Sequence, residues 1–388
     1  MNMKVGILSM QRVANYGSFM QAWALRQMLS ELGADVSFID IVPGRQLPGH
    51  NAKGFRKHWV RARELAKALL TGELGMKMRG RKFYRAMRAR YHDEYYTMLG
   101  LNALPPARYD LAVIGSDQVF NCFERNPWGF TTQLYGDIPQ AGHIISYAGS
   151  FGNATLGDLQ RAGVADEIAA NLMKLDAISV RDDNSYELVR RLTGREAVKH
   201  LDPVLVYDFS RELEGRTSGR SDYIVVYAYA ERIRDRAEVE AIRAFARAKG
   251  KRLVSIFSAY DWCDESVIPP TPFDVLAWIR DADYVVTDTF HGTIFSAITH
   301  RPFCTLVRAS NSEKLGSLLR WLALDNRRAA TSADIAAVLE TPTDYAQTNR
   351  IIADEKVRTR EYLAAELARA CMSSRASAPR DEGSIASL

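Results

Sequence analysis

Residues 283–292 read DYVVTDTFHG, and the chain continues TIFSAITH through residue 300. The apolar run Tyr284, Val285 and Val286 predicts a short buried strand. The string from Thr287 to Gly292 predicts a turn, and residues 293–299 a helix. A strand handing over to a helix is the repeating step of a parallel α/β sheet, and ligands of such sheets gather at the carboxyl ends of the strands. His291 is thereby expected beside the free amides of a helix N-terminus, a place that favours a phosphate or carboxylate.

The same handover recurs on both sides of this stretch. Residues 4–10 (KVGILSM) predict a first strand, QRVANYGS a loop, and FMQAWALRQMLSEL a helix stopped at Gly33. Residues 35–42 then predict a second strand ended by Pro43 and Gly44, which completes a βαβ opening and implies a parallel sheet. Further strands are expected at 109–115, 143–148, 176–180 and 197–201, with a helix at 183–192. Asp202 and Pro203 mark a boundary, because proline restricts the backbone before it and cannot join a central ladder. After the link RELEGRTSGRS a second series predicts strands at 223–229, 252–257, 284–287 and 302–307. Its helices are expected at 237–249, 274–281, 293–299 and 314–322. At 388 residues, two domains are the default. The expected division is an N-terminal α/β domain over 1–205 with a helical excursion at about 50–100, and a C-terminal α/β domain over 206–350. A helix at 351–371 is expected to pack back on the first domain, and 372–388, small and polar, to form a flexible tail.

Composition narrows the class. Apolar residues make up 47% and charged residues 25%, an ordinary globular balance. The net charge of +5 is a mild excess that does not indicate nucleic acid. It is unevenly spread: from 51 to 90, Lys and Arg recur against Glu64 and Glu73 alone. Four scattered cysteines form neither a disulfide framework nor a CxxC clamp, and the histidines show no metal-ligand spacing, so no metal is expected. The start of the chain lacks a signal-peptide pattern, and no stretch has the apolar length of a membrane span. A cytoplasmic protein is expected.

The candidate site residues sit at strand ends. Asn15, Tyr16, Gly17 and Ser18 precede the first helix. They read either as an anion-binding turn or as an ordinary cap. Ser116, Asp117, Gln118 and Asn121 follow an apolar strand, where Asp117 suits orienting or deprotonating a hydroxyl and the amides suit a polyol; a capped turn is the alternative. Phe151 lies in a glycine-bearing turn, GSFG, that shapes the same wall. Arg181 and Arg308 follow strands, with Lys314 close behind, and each reads as an anion-binding cation or as a structural or exposed one. His291 reads as an acid–base group or as a structural histidine, with Asp288 a candidate to orient it. Cys304, in apolar surroundings, reads as core. Neither GxGxxG nor GxxxxGK[ST] occurs at these turns.

Taken together, NYGSFMQAWAL (15–25), IGSDQVFN (114–121), ISYAGSFG (145–152), SVRD (179–182), DP (202–203), TDTFHG (287–292) and PF (302–303) resemble the polysaccharide pyruvyl transferase family over most of residues 3–325. The resemblance implies two Rossmann-like domains in a GT-B-like arrangement with a central cleft. It implies transfer of the enolpyruvyl group of phosphoenolpyruvate to two sugar hydroxyls, with a cyclic ketal formed and phosphate released. No further cofactor is required. A GT-B nucleotide-sugar glycosyltransferase and a noncatalytic saccharide-binding protein are the alternatives. His291 and Asp117 are carried over as catalytic. Arg181, Arg308, Lys314, Asn15, Gly17 and Ser18 are the donor-binding candidates. Tyr16, Ser116, Gln118, Asn121 and Phe151 are those for the acceptor. Thr289 stands where some branches carry an arginine, a departure from the donor-carboxylate role of such members, with Arg181, Arg308 and Lys314 as the candidates to supply the missing cation. The implied partner is a saccharide acceptor, with a polyprenyl-diphosphate-linked form as one option. The basic segment then reads either as a solvated helical surface or as contact with an anionic membrane at its inner face.

Overall fold

The computed structural model describes residues 3–47, 74–123, 127–308 and 311–376. The first half of the expected helical excursion, residues 48–73, and the tail from 377 onward lie outside the described residues.

Two parallel six-stranded sheets organise the chain. The first has the order β2-β1-β3-β4-β5-β6, built from β1 (Lys4–Leu8), β2 (Asp35–Phe38), β3 (Tyr109–Asp117), β4 (Ala141–Gly149), β5 (Ser179–Val180) and β6 (Val198–Lys199). The second has the order β12-β11-β10-β7-β8-β9. Its strands are β7 (Tyr223–Tyr227), β8 (Arg252–Ile256), β9 (Glu265–Val267), β10 (Tyr284–Thr287), β11 (Phe303–Leu306) and β12 (Arg328–Ala329). The central strand β7, YIVVY, is buried along its whole length, as a strand covered by helices on both faces must be. Val285 of β10 pairs in register with Val225 on one side and Phe303 on the other. The edge strands β9 and β12 lie outside the sequence reading. One is ESV and the other two residues long, so neither carries an apolar run to betray it.

Helices α1 (Tyr16–Glu31), α2 (Leu74–Arg90), α3 (Leu156–Arg161), α4 (Ala165–Leu172), α5 (Asp183–Thr193) and α6 (Pro203–Val206) belong to the first half. In the second are α7 (Arg236–Ala248), α8 (Pro272–Asp281), α9 (Phe290–Ile298), α10 (Ser312–Trp321), α11 (Asp334–Glu340) and α12 (Ala346–Ala376). Helix α12 is longer than the expected 351–371. Its start is tied to the second half, Tyr345 Oη donating to the Arg301 carbonyl at 2.7 Å and Thr348 Oγ1 to that of Leu322 at 2.9 Å. Its later turns reach the first sheet, where Tyr362 Oη donates to the Ser146 carbonyl at 2.8 Å and Glu366 pairs with buried His143 at 2.9 Å. One hydrophobic core cluster includes residues of both halves, with Phe19 and Trp23 of α1 against Phe273 of α8. This is a pair of Rossmann-like domains in a GT-B-like arrangement. Among the described residues no helix is long and apolar enough to cross a membrane.

Candidate active site

Strand order locates the site. In the second sheet the order reverses between β7 and β10, and in the first between β1 and β3. A reversal leaves a crevice at the carboxyl ends of the two strands, where adjoining connections run to opposite faces. Asn15, Gly17 and Ser18 follow β1, Asp117 ends β3, Tyr229 follows β7, and Asp288 to His291 follow β10. The two crevices meet.

The β10–α9 turn is set by Thr289. Its side chain caps α9, accepting from the Gly292 amide at 2.9 Å. The helix therefore begins at Phe290, earlier than the expected 293, and His291 lies in its first turn. Across the domain junction Gly17 of α1 meets this ring so closely that a Cβ there would sit 2.1 Å from His291 Nδ1. Asn15 caps α1 by accepting from the Gly17 amide at 2.8 Å, and its Nδ2 donates to Tyr229 Oη at 3.3 Å.

Behind His291 lies a buried network of charges. Arg181 donates to Asp202 Oδ2 at 2.8 Å and to Asp117 Oδ1 at 3.2 Å, with its side chain only 1% exposed. Ser18 Oγ donates to Asp117 Oδ2 at 2.8 Å, and Ser116 Oγ to Asp202 Oδ2 at 3.1 Å. His291 Nε2 is buried with no hydrogen-bond partner among the described residues, 3.7 Å from Asp202 Oδ2. Asp117 adopts φ +73°, a left-handed conformation that Asp tolerates better than most side chains. Burial works against its charge, but Arg181, His291, Lys314 and the Ser18 bond outweigh it and hold the carboxyl well below the usual carboxylate range. For His291 burial prevails and lowers the pKa, against Asp202 and Asp117, while Arg181 and Lys314 add to the lowering. Asp288 does not orient His291: it accepts from Arg308 Nη1 at 3.1 Å and faces Arg232. Burial, only partly offset by those arginines, raises its pKa.

Beside this network opens a cleft of about 760 Å³. Gln118 and Asn121 line it from the first domain, with Asn153, Asp158 and Arg161; Tyr229, Arg232, Asn311 and Lys314 line it from the second. Phe290 forms part of its wall and covers Arg181, whose guanidinium carbon is 4.3 Å from the ring centre, with Lys314 Nζ at 5.1 Å. His291, Asp117 and Arg181 are not on the cleft wall. Of the three cations considered for the donor, Lys314 reaches the cleft; Arg181 is held by two carboxylates, and Arg308 by Glu238 at 2.7 Å and by Asp288. Tyr16 and Phe151 are core residues, Tyr16 packing on Tyr91 and Phe257 and Phe151 on Phe120. Ser116 is fully buried and spent on Asp202. Cys304 is buried, its thiol pushed up to about 12 by burial. Arg161, Arg232 and Tyr229 escaped the sequence reading. They stand on loops or helix surfaces with no local pattern that separates them from ordinary exposed residues.

The family model for polysaccharide pyruvyl transferases matches residues 15–310, from the α1 cap to just past β11. The chain belongs to the polysaccharide pyruvyl transferase family. It is thus a pyruvyltransferase, with phosphoenolpyruvate as donor and a saccharide as acceptor. No curated protein sequence matches it. Among solved structures it is similar to an O-GlcNAc transferase mutant of Thermobaculum terrenum, at 15% identity and TM-score 0.43, over 97% of this chain and 68% of that one. It is also similar to a UDP-GlcNAc 2-epimerase of Methanocaldococcus jannaschii, at 11% identity and TM-score 0.45, over 93% of this chain and 100% of the other.

Proposed function

We propose that this pyruvyltransferase forms a cyclic pyruvate ketal on its saccharide acceptor and releases phosphate, with His291 as the acid. The observation that carries the proposal is the convergence of the two crevices on His291, flanked by Gly17 and the Arg181–Asp117–Asp202 network. His291 protonates the terminal carbon of phosphoenolpyruvate, and the neighbouring carbon gains oxocarbenium character. One acceptor hydroxyl adds there and returns its proton to His291. The second hydroxyl then replaces phosphate, its proton leaving with the phosphate, and closes the ring. Lys314 and the amides at the α9 N-terminus hold the anionic donor. The donor reaches His291 when Phe290 turns aside or the domains part. A bound trianionic donor favours the imidazolium and offsets the burial that otherwise keeps His291 neutral.

Asp117, kept ionised by its cations, is a weak base. Its part is to hold Ser18 and Arg181 in place behind His291. Gln118, Asn121 and Tyr229 lie along the cleft and suit the saccharide. Tyr16, Ser116 and Phe151 support the wall from behind. The chain works at the cytoplasmic face of an anionic membrane, where a polyprenyl-diphosphate-linked acceptor is presented and exposed cations of α2 meet lipid headgroups.

The test is phosphate release in the presence of phosphoenolpyruvate and an acceptor, together and singly. Release is expected only with both. His291→Ala is expected to lower single-turnover release by at least about 100-fold with an unchanged circular dichroism spectrum. Near-normal release by a folded His291→Ala variant removes His291 from the acid role.

A further inference from the structure

The acid assigned to His291 sits where burial opposes its charged form, so some group must make protonation there attainable. Asp202 lies in the DP pair that opens α6, a place read from sequence as a domain boundary and as one of the motifs of the family resemblance, with no role assigned to the carboxylate. Its carboxylate is fixed by every neighbour it has. Oδ1 accepts from the Val204 amide at 3.1 Å as the cap of α6, and Oδ2 accepts from Ser116 Oγ at 3.1 Å and Arg181 Nη1 at 2.8 Å. That same Oδ2 stands 3.7 Å from His291 Nε2, a buried nitrogen with no hydrogen-bond partner among the described residues.

We propose that Asp202 is the positioning residue of the reaction: facing Nε2, it fixes the His291 ring across the domain junction and favours the imidazolium that serves as the acid. The inference rests on the acid role assigned to His291. Several elements bring charged or titratable groups to the ring. Asp117 at the end of β3 also favours the proton, whereas Arg181 after β5 and Lys314 on α10 oppose it. Helix α1 brings the Gly17 backbone and the Tyr16 phenol, and β7 brings the Tyr227 phenol; burial keeps both phenols un-ionised. Distance separates the two carboxylates: Asp202 Oδ2 lies 3.7 Å from Nε2, whereas Asp117 faces Ser18 and Arg181.

The test uses the full chain in two readouts. With ¹³C-labelled histidine, the His291 signal is assigned by its loss in His291→Gln and titrated in the wild type, Asp202→Asn and Ser116→Ala. Asp202→Asn is expected to lower the His291 midpoint by about one pH unit, and so to cut single-turnover rate about tenfold on the basic limb. Activity should recover toward the wild type as pH falls, with the KM for phosphoenolpyruvate little changed. Ser116→Ala keeps the carboxylate and frees one of its lone pairs, so its midpoint should move up; this second variant carries the test if Asp202→Asn fails to fold. Unmoved midpoints, or a loss of rate equal at every pH, would overturn the proposal. Midpoints that move while the rate profile stays fixed would support the Asp202–His291 coupling and overturn the acid role of His291 instead.

Discussion

Gly17 has no room for a side chain, and the reason is distance rather than backbone conformation. A Cβ would lie 2.1 Å from Nδ1 and 2.2 Å from Cγ of the His291 ring, deep in a junction where the ring is walled by Phe290 and Phe295. The methyl group of Gly17→Ala must either rotate the imidazole off Asp202 or push the two domains apart. Overpacking of this kind costs about 1–3 kcal/mol, and a misplaced acid costs on the order of 100-fold in rate. Gly17→Ala is therefore expected to lose turnover far out of proportion to its fall in melting temperature. Equal, small losses in both would show that the contact is loose. The neighbouring charges obey a similar economy of space. Arg181 offsets two buried carboxylates at once, which explains how Asp117 and Asp202 share one buried corner, and it leaves this guanidinium little freedom to seize a donor.

At the scale of elements, the interiors of the apolar strands were legible, whereas their surroundings and the edge strands β9 and β12 were not. Tyr284–Thr287 and its partner β7 announce themselves as short apolar runs, because both faces of a central parallel strand are covered. From such runs alone the two parallel sheets and the strand-end position of His291 could be read. The start of α9 could not, since it depends on Thr289 capping Gly292, and a threonine after a strand can as well extend it. Nor could the partner of His291 be found, because Asp202 lies 89 positions away and meets it only through tertiary packing. Asp288, adjacent in sequence, faces the other way toward Arg308. Helix α2 poses its own question. It buries Met87, yet Arg79, Arg81, Lys82, Arg85 and Arg88 are exposed with Met78 and Tyr84, and none of its residues is acidic. Replacing four of these cations by Gln is expected to weaken binding to acidic vesicles, at about 1 kcal/mol for each cation near the surface, and to reduce activity on a lipid-linked acceptor more than on a short soluble one. Salt should weaken the wild-type binding as well. Equal losses on both acceptors would assign α2 to the cleft or to stability, and unchanged vesicle binding would reject the membrane role.

The proposed site draws on both halves of the molecule: the first brings Gly17, Asp117, Arg181 and Asp202, and the second Phe290, His291 and Lys314. Helix α12 ties the halves together, its first turns bonded to the second domain and its later ones to β4 of the first. The cleft that opens beside the junction has the size of a site for a sugar-sized ligand, which suits an enzyme whose acceptor enters from the side while the donor is held at the seam. All of this converges on one chemical outcome. Incubation of the full chain with phosphoenolpyruvate and a saccharide bearing two neighbouring hydroxyls, followed by mass spectrometry and carbon NMR of the product, reads it directly. The account predicts an acceptor heavier by one condensed pyruvate, with a quaternary ketal carbon and one phosphate released per product; a product carrying a transferred sugar, or an unchanged acceptor across a broad panel, would contradict it.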